Sequence, residues 1–76
     1  MKQVIERDYH GYTLLEAMHD FEYLLFSNEA KRYRFIVGYG KIREALLDHL
    51  LMLDHLTWSY DGPNQGCIVV NMEVGS

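Results

Sequence analysis

The sequence predicts a single α/β domain of the α+β sandwich type, with a four-stranded mixed sheet and two helices in the order β-α-β-α-β-β. Two segments with apolar residues at helical spacing alternate with short runs of β-forming residues. A β-α-β unit places its two strands parallel, with a right-handed connection. The last two predicted strands are joined by a short turn, which makes them antiparallel. We therefore expect a mixed sheet with both helices packed on it.

The first half of the chain predicts a strand, a helix and a second strand. Residues 4–9 begin with two β-branched side chains and form the first strand, and residues 10–12 turn the chain. Residues 13–16 have the pattern of a capping box, and the helix that they open ends near residues 27–28. Residues 33–37 are rich in β-formers and predict the second strand. The apolar residues at helical spacing are Leu14, Ala17, Met18, Phe21 and Leu25.

The second half predicts a helix and a hairpin. Residues 38–40 form a sharp loop, and a helix follows from residue 41 to about residue 53. Residues 57–60 alternate and form the third strand. Residues 61–66 hold the turn signals, and residues 67–72 form a fourth strand with an apolar centre. The buried stripe predicted for this helix is Ile42, Ala45, Leu46, His49, Leu50 and Leu53.

Composition indicates one domain that spans residues 1–76. The chain is 49% hydrophobic and 24% charged, which is typical of globular proteins rather than disordered ones. Cys67 has no second cysteine to pair with, and no apolar run reaches the length of about 18 residues that spans a membrane. The amino-terminal residues lack the apolar core of a signal peptide. We expect a soluble cytoplasmic protein without a membrane partner.

The charge of the chain is uneven. A net charge of −4 opposes strong nonspecific binding of nucleic acid, since phosphates are repelled by an acidic surface. Most of the basic residues are nevertheless concentrated in one short segment, which predicts a local basic patch. These residues are Lys31, Arg32, Arg34, Lys41 and Arg43.

Candidate catalytic residues follow the first predicted strand, at a sheet edge where ligands of parallel sheets gather. Asp8 and His10 lie two positions apart, and a carboxylate beside a histidine can orient the ring and raise its basicity. Such a pair suits general acid–base chemistry. The alternative is structural, with Asp8 capping the turn and His10 bonded to a backbone group. Asp8 also offers one carboxylate to a divalent metal ion, and no other cofactor is indicated.

Candidate phosphate-binding residues follow the second predicted strand. Gly38 and Gly40 flank a loop that opens a helix, and amides at a helix start bind phosphate. Lys41 and Arg43 add positive charge, and Tyr39 at the loop tip is placed to stack on a base. The alternative is that a tight strand-to-helix turn needs glycine in any case.

The remaining histidines and aromatic residues favour structural roles. His19 falls on the polar side of the first helix, His49 on the apolar stripe of the second, and His55 near its end. No pair of histidines has the spacing of metal ligands. We expect tyrosines to cover the face of the sheet away from the helices. The residues assigned to the core are Phe21, Phe26, Phe35, Trp58 and Cys67.

Four stretches of the sequence resemble the small MutS-related (Smr) domain family. Residues 8–17 match the motif Asp-x-His-Gly followed by Thr-x-x-Glu-Ala, and residues 37–40 match the Gly-x-Gly of the second motif. Residues 42–46 match the start of the second helix, and residues 66–72 match the last strand. The resemblance implies a fold similar to the C-terminal domain of bacterial translation initiation factor 3.

The resemblance also implies nucleic-acid binding and, in the active members, cleavage of DNA or RNA. In that scheme Asp8 orients His10, His10 moves a proton at the scissile phosphate, and the loop at residues 38–40 with Lys41 and Arg43 holds the phosphate. Two positions depart from the family pattern. Arg7 replaces a leucine before the aspartate, and Val37 replaces the histidine or threonine of the second motif.

Three functional hypotheses follow from the sequence. The first is a nucleic-acid-binding domain with weak endonuclease activity, and the second is a DNA- or RNA-binding module without catalysis. The third is a protein-interaction domain or a self-associating one. It rests on Leu47, Leu51 and Met52, which make the second helix apolar on more than one face.

Overall fold

The computed structural model describes residues 2–72, and over that range it confirms the predicted order of elements and the mixed sheet. The strands and helices are β1 (Lys2–Asp8), α1 (Leu14–Ser27), β2 (Ala30–Ile36), α2 (Lys41–Leu51), β3 (Thr57–Asp61) and β4 (Asn64–Asn71). The strand order across the sheet is β1-β2-β4-β3. β1 and β2 are parallel, and β4 lies antiparallel to both β2 and β3. The last of the described strands, β4, is therefore a central strand of the sheet.

Three strands begin earlier than predicted, because pairing extends beyond the apolar runs, and β1 starts at Lys2 rather than residue 4. β2 starts at Ala30, which pairs with Lys2 of β1. β4 starts at Asn64, which pairs with Asp61, so the hairpin turn is reduced to two residues. Gly62 occupies the first of these at φ +58°, a conformation that few side chains tolerate.

The predicted capping box of α1 is confirmed. The Thr13 hydroxyl accepts a hydrogen bond from the Glu16 amide at 3.1 Å, and the Glu16 carboxylate accepts one from the Thr13 amide at 2.9 Å. Helix α1 ends at Asn28, whose φ of 58° is left-handed and whose amide donates to the Leu24 carbonyl. Helix α2 ends at Leu51, before the predicted residue 53, because the next amides turn back to carbonyls only three residues earlier.

Both helices pack on one face of the sheet. The Phe21 ring of α1 lies 5.7 Å from the His49 ring of α2, and the Tyr33 hydroxyl of β2 donates to the Leu24 carbonyl of α1 at 2.6 Å. Tyr9, Tyr33 and Phe35 form a run of stacked rings beneath α1. The fully buried side chains at the centre of this core include Phe21, Leu24, Tyr33, Phe35, Leu46, Leu50, Ile68 and Val70.

Two expectations about aromatic residues are wrong. Phe26 is 93% exposed, whereas the sequence analysis assigned it to the core. It lies five positions after Phe21, about 140° around the helix, and so falls off the buried stripe. Tyrosines were expected to cover the face of the sheet opposite the helices. Three tyrosines instead contact residues of the helices. Tyr9 lies against Phe21, Tyr33 bonds to Leu24, and Tyr60 bonds to Arg43.

That opposite face carries an ion network at its centre. Arg34 of β2 binds Glu6 of β1 through one terminal nitrogen and Asp61 of β3 through the other. The second nitrogen lies 2.8 Å from the Asp61 carboxylate oxygen. Both hydrogen bonds raise the pKa of the guanidinium. Cys67 is buried near this network, and burial raises the pKa of its thiol. The network ties the two outer strands to β2, although surface ion pairs contribute little each.

Tyr9 gives the fold a dependence on alkaline pH. Burial and the hydrogen bond that its hydroxyl donates to Asp20 at 2.9 Å both raise the pKa of Tyr9 well above its usual value. An unfolded tyrosine ionises near pH 10, so above that pH the unfolded chain holds fewer protons than the folded one. We expect the free energy of unfolding to fall above about pH 10, by up to ~1.4 kcal/mol per pH unit from this residue. Urea titrations of wild type and Tyr9→Phe across that range test it, and equal slopes would contradict it.

Candidate functional site

The ends of β1 and β2 form one cleft, as the sequence analysis expected of two parallel strands. The Tyr9 amide donates to the Ile36 carbonyl at 3.0 Å and so continues the pairing past the end of β1. Beyond this bond a cleft of about 280 Å³ separates the two loops. We call it the strand-end cleft, and it is lined by Asp8, Tyr9, His10, Ile36, Val37 and Gly38.

Asp8 holds the turn that carries His10. One Asp8 carboxylate oxygen accepts a hydrogen bond from the main-chain amide of His10 at 2.9 Å. This is the structural alternative that the sequence left open for Asp8. The imidazole of His10 is exposed and forms no hydrogen bond or ion pair within residues 2–72. Asp8 therefore positions His10 through the backbone, and the ring is available to an incoming group.

The glycine loop uses one of its amides inside the fold. The amides of Val37 and Gly38 both donate to the Gly66 carbonyl, at 2.8 and 3.0 Å. The Gly38 amide is therefore already hydrogen-bonded within the fold. Gly38 also adopts φ +72°, a left-handed conformation that the turn of the loop requires. Gly40 is the N-cap of α2 and offers no side-chain hydrogen bond to the helix start. Among residues 2–72, no side chain caps the first amides of α2.

Arg43 lies between two tyrosine rings. Its guanidinium carbon is 5.7 Å from the Tyr39 ring centroid and 5.4 Å from that of Tyr60, within the range of a cation–π interaction. A terminal nitrogen of Arg43 also donates to the Tyr60 hydroxyl at 3.0 Å. Tyr39 packs closely on Gly66, where an added Cβ would lie 3.1 Å from the Tyr39 ring. Arg43 thus holds Tyr39 over the loop, and 68% of Tyr39 remains exposed.

The basic segment does not form a single patch. Lys41 is exposed at the start of α2, three positions after Gly38 of the strand-end cleft. Lys31 and Arg32 lie toward the other end of β2, about 17 and 13 Å from Ile36 at the usual rise of a strand. Arg34, which follows these two residues on β2, forms ion pairs with Glu6 and Asp61. The basic residues that directly follow the glycine loop are therefore Lys41 and Arg43.

His19 joins His10 at a second cleft, which the sequence analysis did not find. This cleft of about 690 Å³ lies over the start of α1 and shares His10 with the strand-end cleft. Its lining includes Glu16, His19 and Tyr23, which follow one another at the spacing of a helix face. That spacing was the signal that could have found it.

The two positions that depart from the family pattern have structural explanations. Arg7 points toward α1 and pairs with Asp20, with 2.9 Å between Nε and the carboxylate oxygen. Asp20 also accepts the Tyr9 hydroxyl, so the three side chains form one network. Val37 is only 8% exposed and packs into the core, so it offers the cleft no polar group.

The donor set does not support a resident metal ion. Over residues 2–72 no three histidine, cysteine, aspartate or glutamate side chains converge as ligands would. Asp8 has one oxygen committed to the His10 amide, and a single carboxylate holds a divalent ion poorly. We derive no metal-dependent step at this site.

Within the described range no helix is long and apolar enough to cross a bilayer.

Comparison with known proteins identifies the fold. No family model and no curated protein sequence matches the chain. A solved structure, the Smr domain of Thermus thermophilus MutS2, is 19% identical, with a TM-score of 0.68 over 91% of this chain and 95% of that one. The chain therefore has the fold of an Smr domain.

Proposed function

We propose that this domain binds nucleic acid at the strand-end cleft, and that it has weak endonuclease activity there. The observation that carries the proposal is the position of His10, whose unpaired imidazole shares a cleft with the loop that opens α2. The Smr-like fold supports the same location, because the matched Asp-x-His-Gly and Gly-x-Gly motifs flank this cleft.

Phosphate is held at the start of α2. No side chain in the described part of the chain caps the amides that follow Gly40, and the partial positive charge of the helix start attracts an anion. Lys41 adds a full charge at the same place. The exposed face of Tyr39, held by Arg43, is placed for a base to stack on. This part of the proposal requires no catalysis, and it applies to DNA and RNA.

His10 is the proton carrier of the cleavage step. In hydrolysis an attacking water loses a proton while the bond from phosphorus to the leaving oxygen breaks, and that oxygen gains a proton. The free imidazole of His10 can perform one of these two transfers. Val37 supplies no partner for the other, so we expect cleavage to be slow. Without cleavage the domain is a binding module that uses the same residues.

The test is binding and cleavage of labelled single- and double-stranded DNA and RNA at low salt. Lys41→Glu is expected to weaken binding about tenfold and to reduce the slope of log affinity against log salt by about 1. His10→Ala is expected to abolish cleavage and to retain most of the affinity. Fluorescence anisotropy measures the first effect, and gel analysis of end-labelled strands measures the second.

Matched controls lie at the other end of the fold. Lys31→Glu changes the same charge toward the other end of β2, and His55→Ala removes an exposed histidine that does not line the cleft. Both should leave binding and cleavage unchanged. If Lys31→Glu weakens binding as much as Lys41→Glu, attraction is not localised at the cleft. If His10→Ala still cleaves, His10 is not the proton carrier.

A further inference from the structure

An apolar groove lies between the carboxyl-terminal halves of the two helices. Tyr23, Leu25 and Phe26 form its α1 side, and His49 lies on its α2 side. Leu53 and His55, which follow α2, complete it around a volume of about 680 Å³. We call it the helix-end groove. It is separate from the strand-end cleft, which lies before the start of α1.

The apolar side chains of this region are more exposed than folding requires. Phe26 is 93% exposed and Tyr23 is 59% exposed. Leu51 and Met52, which directly precede Leu53, are 75% and 85% exposed. Single exposed apolar residues are common, but two large exposed side chains that line one groove, Tyr23 and Phe26, are typical of a surface that binds a partner.

Carboxylates lie in and next to the helix-end groove, which is also lined by two histidines, His49 and His55. Glu22 lines it, Glu29 accepts a hydrogen bond from the Tyr23 hydroxyl at 3.1 Å, and Asp54 lies exposed between Leu53 and His55. No lysine or arginine is among its lining residues in the described part of the chain. Both helices also end here, and each helix end adds a partial negative charge. The last turn of α1 contains no basic residue that would offset it.

We infer that the helix-end groove binds an amphipathic helix of a partner protein, with large apolar side chains on one face and lysine or arginine at its margins. The apolar face would cover Phe26 and Leu53, and the cations would meet Glu22 and Asp54. A second copy of this chain fits less well, because each copy carries a net charge of −4. Because groove and cleft lie at opposite ends of α1, a helix of 14 residues and about 21 Å, both can be occupied together.

The test uses the full chain and two synthetic helices of about 18 residues, which is five turns. One carries leucine on one face and lysine at the margins, and the other has glutamate in place of each lysine. Anisotropy of the labelled peptides gives the affinities, and amide chemical shifts of the protein give the location. The lysine peptide is expected to bind at least about tenfold more tightly than the glutamate peptide. The shifts should map to Phe26, His49 and Leu53.

Phe26→Ser separates recognition from stability, because this side chain contributes little buried area. It is expected to weaken the lysine peptide at least about tenfold while the melting temperature stays unchanged. Leu15→Ser is the control, since Leu15 is 63% exposed at the opposite end of α1. No saturable binding, equal affinity for the two peptides, or shifts outside the groove would each overturn the inference. So would concentration-dependent dimerisation that Phe26→Ser abolishes, since the occupant would then be a second copy.

Discussion

Tyr33→Phe is expected to lower the free energy of unfolding by about 3 kcal/mol, although it removes one oxygen atom. The Tyr33 hydroxyl donates to the Leu24 carbonyl at 2.6 Å and accepts from the amides of Glu29 and Ala30 at 2.9 and 3.3 Å. The side chain is fully buried. Phenylalanine would remove the acceptor of the Glu29 and Ala30 amides and one of the donors to the Leu24 carbonyl, which would keep the Asn28 amide as a partner. Urea unfolding followed by circular dichroism measures the loss.

Tyr23→Phe is the matched control for that substitution. Its hydroxyl also forms a hydrogen bond, to the Glu29 carboxylate, but the side chain is 59% exposed and water can replace the bond. We expect a change within about 0.5 kcal/mol. If the two substitutions cost the same, the three backbone contacts of Tyr33 do not hold the α1–β2 junction.

Phe21→Ala is expected to cost about 4 kcal/mol, which is a large share of the stability of a domain this small. The Phe21 ring is fully buried and lies 6.3 Å from the Tyr9 ring and 5.7 Å from that of His49. It therefore fills the space between α1, α2 and the sheet. Truncation leaves a cavity that two helices fixed on the same sheet cannot close. Thermal and urea unfolding give the size of the effect.

Phe26→Ala provides the comparison on the same helix. Phe26 lies five positions after Phe21 on α1 and is 93% exposed. Its truncation should change the free energy of unfolding by less than about 0.5 kcal/mol. A loss comparable to that of Phe21→Ala would mean that Phe26 is buried in solution and that the helix-end groove is closed. A small loss is the result expected if Phe26 serves binding rather than folding.

Periodicity was sufficient to predict the order of elements, because each element buries one regular face. It could not locate the start of β2, since Lys31 and Arg32 look like loop residues until β1 is known to pair with them. It also failed for Phe26, where hydrophobicity was given more weight than position around the helix. Hydropathy describes a residue, whereas burial depends on what lies opposite it.

The candidate site was predictable to the extent that it follows from topology. Two parallel strands bring residues 8–10 and 36–38 to one edge, and the sequence analysis placed them there. What it could not predict came from distant parts of the chain. The Gly66 carbonyl accepts hydrogen bonds from the amides of Val37 and Gly38, and the Tyr60 hydroxyl accepts one from Arg43. Such contacts are fixed only when the sheet is assembled.

The position of β4 determines when this chain can fold during its synthesis. Of the four described strands β4 is synthesised last, yet it lies between β2 and β3 and is the strand to which β3 is bonded. A nascent chain that has emerged only as far as β3 can pair β1 with β2, but β3 has no neighbour and the core lacks Ile68 and Val70. The complete domain, and with it the Gly66 bond that shapes the glycine loop, forms only after the final strand has left the ribosome. A stalled chain would thus hold His10 beside an unformed loop.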